Sequence, residues 1–261
     1  MIDPGLFVFH HGYAGSGELW HSKSTNSTWA GDVLVPNTGI SAVHSAVFFL
    51  SLLYVFYQGP ANGGQLRYNR LNGISWSGDV QVPNVGLDSS PSAVVWKSKI
   101  YMLHQGYENN TELWYITFDG VSWGGDVLVP NTLTTANPSA VVYQNKLWVL
   151  YQGNRNNGQV WYNIFDDKKW NGDTFLPGVG IYSGSSVVIW HTNLFYFTTE
   201  SMATENCGIQ FGMGRDGSEM RIKLSCLMSS VFHLVFVKLV RCKIQIISIH
   251  VPRTHDILTP Q

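Results

Sequence analysis

Residues 101–147 read "YMLHQGYENNTELWYITFDGVSWGGDVLVPNTLTTANPSAVVYQNKL". The opening "YMLHQG" returns as "FVFHHG" at Phe7, "YVFYQG" at Tyr54 and "WVLYQG" at Trp148, a constant step of 47 residues, and position 195 opens "FYFTTE". Within the copy, four β-type runs, "YMLHQ", "ELWYITF", "DVLVP" and "SAVVY", are parted by stretches rich in Asn, Asp, Gly and Pro. Those residues supply the fixed or positive φ angles that tight turns need. Each copy therefore reads as one four-stranded antiparallel sheet. Such a sheet cannot bury both faces alone, so copies at a fixed period must pack on one another. Blades of about 40–50 residues packed radially make a β-propeller. The fold class expected is all-β, a propeller of about four blades plus the start of a fifth. A β-sandwich is the rival, but it imposes no side-chain identity every 47 residues.

Framed on "YMLHQG", the repeats are 7–53, 54–100, 101–147 and 148–194, with a fifth opening at 195. The apolar "SAVVY" run is expected to be buried on both faces near the axis, with the Trp-bearing strands further out. Residues 201–261 break the pattern: all ten Trp lie before residue 200, and all three Cys (Cys207, Cys226, Cys242) lie after it. Residues 1–200 carry nine Lys/Arg and thirteen Asp/Glu, whereas 201–261 carry seven and four. This tail is expected to be read-through or shifted-frame sequence standing in place of further repeats. A strand paired with the first blade, or a short apolar helix around 227–240, are the forms considered for it.

The whole chain of 261 residues has 16 basic and 17 acidic side chains, so no net field draws it to nucleic acid or an anionic membrane. Charged residues make up only 13%, against roughly 25% in ordinary domains, while Trp, Tyr and Phe are plentiful. That balance points to recognition by stacking. Three Cys at spacings of 19 and 16 match no metal pattern and support no disulfide framework. No metal or cofactor is expected. The opening "MIDPGLFVFH" lacks a basic start and a long apolar run, so no secretory signal is expected there. No apolar run is long enough to insert in a membrane.

Down the period, columns emerge: Trp29, Trp76, Trp123 and Trp170; Trp20, Arg67, Trp114 and Trp161; His21, Tyr68, Tyr115 and Tyr162; His11, Gln58, Gln105 and Gln152. Asp32/79/126/173, Pro36/83/130/177, Gly12/59/106/153 and Ser45/92/139/186 form four more. Turn chemistry accounts for Asp, Gly, Pro and Ser. Aromatic columns either pack between blades or present a ring on which a sugar stacks.

"HQGYENNTELWYITFDGVSWGGDVLVPN" followed by "PSAVVY" resembles the repeat of the Photorhabdus lectin-like family, over residues 7 to about 197. Members are bacterial seven-bladed propellers that bind fucose and related, often methylated, sugars between neighbouring blades. The resemblance implies a multivalent, non-catalytic lectin with glycan partners. The site residues it implies are Trp20, Trp29, Trp76, Trp114, Trp123, Trp161, Trp170, Tyr68, Tyr115, Tyr162, Gln58, Gln105 and Gln152. Assembly into homo-oligomers stays open, as does secretion. Departures from the pattern are Arg67, His11, His21, and Gly178 in place of Asn37, Asn84 and Asn131. The third and fourth repeats keep every aromatic, so their junction is expected to be the best preserved. Two alternatives remain: a sialidase-like propeller glycosidase, whose Asp-box the "FDGVSW" at 118–123 resembles, and a protein-binding scaffold. A glycosidase needs a unique acid and nucleophile, whereas the carboxylates here mostly recur with the period.

Overall fold

In the computed structural model, the residues described are 6–13, 16–25, 28–42, 44–60, 63–108, 110–154, 158–181, 186–190, 193–197, 232–240 and 243–251. They contain strands, turns and short bends, and no α-helix among them. Blade 1 comprises β1 (Leu6–His11), β2 (Leu19–Thr25), β3 (Thr28–Trp29) and β4 (Val33–Leu34). Blade 2 is β5 (Ser45–Phe49), β6 (Leu52–Gln58), β7 (Gln65–Leu71) and β8 (Val80–Gly86). Blade 3 is β9 (Ser92–Trp96), β10 (Lys99–Gln105), β11 (Glu112–Phe118) and β12 (Val127–Leu133). Blade 4 is β13 (Ser139–Tyr143), β14 (Lys146–Gln152), β15 (Gln159–Phe165) and β16 (Thr174–Gly180). A hairpin of β17 (Ser186–Trp190) and β18 (Asn193–Phe197) follows. First strands start at 45, 92, 139 and 186, keeping the 47-residue step.

The phase of the repeat differs from the sequence frame. "SAVVY" at Ser139–Tyr143 is not the last strand of the blade that begins at 101; it pairs with Lys146–Gln152 and opens the next. Two residues, Gln144 and Asn145, join these strands with φ of 49° and 56°, and so tight a hairpin outcompetes pairing across the long "NTLTTANP" connection. Nor is this strand buried on both faces: Val95 and Phe48, one and two steps before Val142, are 37% and 50% exposed. The first strands of successive blades flank one another. A ladder locks them: Ser45, Ser92 and Ser139 each accept, through Oγ, a hydrogen bond from the amide of Ala93, Ala140 and Val187 in the following blade, at 2.9, 2.9 and 3.0 Å.

Blades meet through apolar faces because both sides of every sheet are apolar. Phe49, Tyr54, Phe56 and Val82 of blade 2 pack on Ile100, Met102, Ile116 and Phe118 of blade 3. Trp96, Tyr101, Leu103 and Val129 meet Leu147 and Val149 of blade 4 in the same way. In the tail, β19 (Phe232–Val240) and β20 (Lys243–Val251) pair with each other rather than with blade 1. Part of the stretch considered for a helix is thus a strand. "KIQIISIHV" is rich in β-branched residues and largely alternates apolar with polar, a period of two that suits a strand, and "FHLVFVKLV" is a short, mostly apolar run with three valines. The other tail residues lie outside those described, and with them the reading of 201–231.

Candidate functional site

Between blades 3 and 4 lies a cleft of about 210 Å³, lined by Asn131 and Leu133 from β12, Gly153 and Asn154 after β14, Trp161 on β15 and Asp173 before β16. Local sequence builds each wall. Pro130 has no amide to donate and Asn131 takes a left-handed φ of 57°, so β12 bulges at "VPN" and its register to β11 shifts between Glu112 and Trp114. The bulge repeats at Asn84 with φ 56°. Opposite, Trp161 stands half-buried on β15, its ring 5.5 Å from Phe175.

The floor is polar. Asp173 accepts hydrogen bonds from Thr132 Oγ1 of blade 3 at 2.7 Å and from Asn163 Nδ2 at 3.2 Å. Tyr151 is fully buried; burial, with the Asp173 carboxylate beside it, pushes its hydroxyl far above the usual tyrosine range, so it stays protonated. The same acid column does the same work elsewhere: Asp79 accepts from Tyr57 at 2.8 Å and Arg67 at 2.7 Å, and Asp126 faces His104 Nε2 at 3.0 Å. These aspartates bind strand side chains to one another rather than capping turns. The turn caps lie earlier in each repeat, at Asp119 and Asp166, whose carboxylates accept two amides each and are held below the usual carboxylate range by them.

Sequence-derived candidates fall into distinct places. Trp76, Trp123 and Trp170 reach back into the preceding blade: Trp76 lies 5.5 Å from His21, Trp123 5.9 Å from Tyr68, and Trp170 5.7 Å from Tyr115. Tyr68 and Tyr115 are thereby the receiving surfaces, and Tyr162 stacks on Trp148 at 5.4 Å beside a small apolar cavity. Trp29 is 52% exposed. Trp20 donates from Nε1 to Glu18 at 3.1 Å. Gln58 and Gln152 are buried, donating to the Leu87 and Ile181 carbonyls at 2.9 and 3.2 Å, and Gln105 is buried too. Only Trp161 of these candidates lines the cleft.

Asn131, Leu133, Gly153, Asn154 and Asp173 escaped the sequence reading as site residues. The available signal was departure from a column: Leu133 stands where Gly39, Gly86 and Gly180 recur, and Asn154 where Tyr13, Pro60 and Tyr107 stand.

No protein-family model and no curated protein matches the chain. Solved structures do. A triple-arginine mutant of AofleA from Arthrobotrys oligospora superposes with TM-score 0.59 at 13% identity, over 86% of this chain and 74% of that one. The fucose-specific lectin from Aleuria aurantia gives 0.59 at 10% identity, over 82% and 72%. A mutant of NanB sialidase from Streptococcus pneumoniae gives 0.56 at 14%, over 72% of this chain but only 33% of the sialidase. The fold is shared with all three.

Proposed function

We propose that this chain is a non-catalytic carbohydrate-binding module of the lectin kind, related in its repeat to the Photorhabdus lectin-like proteins, and that it takes fucose or a related methylated sugar between blades. The observation that carries this reading is the blade 3–blade 4 cleft. Trp161 offers an aromatic face for the C–H side of a pyranose, Leu133 an apolar wall for a methyl group, and Asn131, Asn154 and Asp173 offer donors and acceptors for hydroxyls. Similarity to a structure described as a fucose-specific lectin supports it. In this reading Trp76, Trp123 and Trp170 with their tyrosines hold the blades together, and the glutamines hold loops. Repeated sites would act together through effective concentration, which makes a weak sugar contact useful on a cell surface.

Calorimetric titration of α-methyl-L-fucoside, with a glycan array for breadth, tests the reading. Trp161→Ala should lower the affinity of the folded protein by about 1–2 kcal/mol, on the order of tenfold. Equal binding by this variant and the parent would remove the cleft from the function. A chromogenic glycoside turned over by the parent chain would favour the glycosidase reading instead, for which the sialidase likeness is the motive.

A further inference from the structure

The turn after the third strand of each blade changes its charge in blade 2. It reads "NGIS" from Asn72, against "DGVS" from Asp119 in blade 3 and "DDKK" from Asp166 in blade 4. The cap itself is the same in all three: Asn72 Oδ1 accepts the Ile74 and Ser75 amides at 2.9 Å, as the Asp119 and Asp166 carboxylates accept theirs. In blades 3 and 4 a lysine on the second strand, Lys99 or Lys146, adds to the turn amides in holding that carboxyl below its usual range. Acid and base thus offset each other there. In blade 2 the lysine position holds Leu52 and the acid position holds neutral Asn72, while Arg70 stands on the third strand where blades 3 and 4 have Thr117 and Ile164. Arg70 is exposed and forms no ion pair among the described residues.

Around this unmatched cation lies a cleft of about 240 Å³, lined by Leu52, Arg70, Asn72, Ser75 and Ser77. No carboxylate is among its walls. The cap fixes the Asn72 amide so that Nδ2 donates to Ser75 Oγ at 3.3 Å, which leaves that hydroxyl its own hydrogen to donate. The Ser77 hydroxyl has only long contacts, 3.4 Å to Asn69 Oδ1 and 3.5 Å to the Gly78 carbonyl. In blade 3 the same place is crowded: a Cβ on Gly124, the counterpart of Ser77, would come 2.8 Å from Thr117 Oγ1. The blade 2 cleft therefore gathers a guanidinium, an amide and two hydroxyls beside one apolar wall. A guanidinium fork matches the paired oxygens of a carboxylate or sulfate, and hydroxyl donors complete such a shell.

We propose that this cleft is a site for an oxyanion, the carboxylate or sulfate of an acidic saccharide, with Arg70 as its counter-charge and Asn72, Ser75 and Ser77 as donors to its oxygens. Leu52 gives the ring that carries the anion an apolar wall. The blade 3–blade 4 cleft reads hydroxyls and a methyl group, whereas this one reads charge. The saccharide part of the inference rests on the carbohydrate-binding reading given above; the oxyanion part stands apart from it.

Its test is a titration of the isotope-labelled full chain, followed through the Arg70 Nε–H and Ser75 amide signals in nuclear magnetic resonance spectra at constant ionic strength. Sodium sulfate and methyl β-D-glucuronide are the probes, with uncharged methyl β-D-glucoside as the control. Saturable shifts are expected with a charged probe and none with the glucoside; saturation by sulfate alone assigns a sulfate ester, and by the glucuronide alone a uronic acid. Arg70→Gln should weaken binding by about tenfold or more. Asn72→Asp should weaken it as much, because it keeps the cap but supplies the carboxylate that blades 3 and 4 carry. Melting temperatures establish that both variants fold, and α-methyl-L-fucoside should bind both as it binds the parent. Shifts that never saturate, or equal anion binding by the parent and both folded variants, would overturn the site. If the chain binds no fucoside yet sulfate saturates this cleft, the carbohydrate reading falls and the oxyanion site remains.

Discussion

Trp123 and Trp161 are both half-buried tryptophans, and their surroundings separate their roles. Trp123 lies 4.6 Å from Phe118 in a stacked pair and edges onto Phe56 of the preceding blade at 6.1 Å. Trp161 has one ring neighbour, Phe175, packs in part on the core between blades 3 and 4, and lines the cleft. The connection from blade 1 to blade 2 carries a different single-residue feature. His44 is packed 5.7 Å from Phe9, and burial, with the His11 imidazole adding to it, lowers its pKa from 6.5 to about 4. The fold therefore disfavours the charged imidazole. Its stabilising contribution is complete above 6.5, the unfolded value, and drains away as the pH falls toward about 4. The melting temperature of the parent should decline through that interval, and His44→Phe should decline less steeply there. Parallel curves for the two proteins would show that His44 does not set the acid limb.

At the scale of elements, two devices recur. The first is the two-residue turn between the first and second strands of blades 2, 3 and 4: Leu50–Ser51 with φ 48° and 64°, Lys97–Ser98 with 47° and 58°, and Gln144–Asn145 with 49° and 56°. Both residues are left-handed, the geometry that matches the twist of the flanking strands and that Asn and Gly adopt most readily. Blade 4 already has asparagine at the second position. Ser98→Asn should raise stability by about 0.5–1 kcal/mol, read as a higher urea midpoint at constant slope. A lower midpoint would mean that Ser98 makes a contact worth more than the strain. The second device is the "VPN" bulge, where proline withholds a donor and asparagine turns left-handed, re-aiming the fourth strand toward the next blade.

Across the whole molecule, stability is shared between neighbours, because each blade's faces are closed only by the next. The serine ladder ties the inner strands, and the Trp76/Trp123/Trp170 column ties the outer parts. Trp123→Ala should accordingly destabilise the chain by about 3 kcal/mol, lowering the melting temperature by several degrees. Sugar affinity of the folded variant should not change, since Trp123 lies in the junction core and outside the blade 3–blade 4 cleft. A loss of affinity without loss of stability would place Trp123 in the binding surface.

The 47-residue step, the four strands per unit, the turn residues and the aromatic columns were all legible in the sequence, because local backbone chemistry and period-two alternation belong to short stretches of chain. The same reasoning grouped "SAVVY" with the wrong sheet: which of two neighbouring strands a run joins depends on competition between a two-residue hairpin and a long connection. Columns showed which positions recur but not which way each side chain points. The columns do not show that Gln58 and Gln152 donate to the carbonyls of Leu87 and Ile181. The cleft itself was invisible because it joins residues from two blades and depends on departures from the repeat, Leu133 and Asn154, whose meaning appears only against their neighbours. Sequence determined the repeating unit, since the 47-residue period is written in the order of residues along the chain; tertiary structure alone decided which side chains line the cleft between blades 3 and 4, since space between blades is a property of side chains that meet from distant parts of the chain.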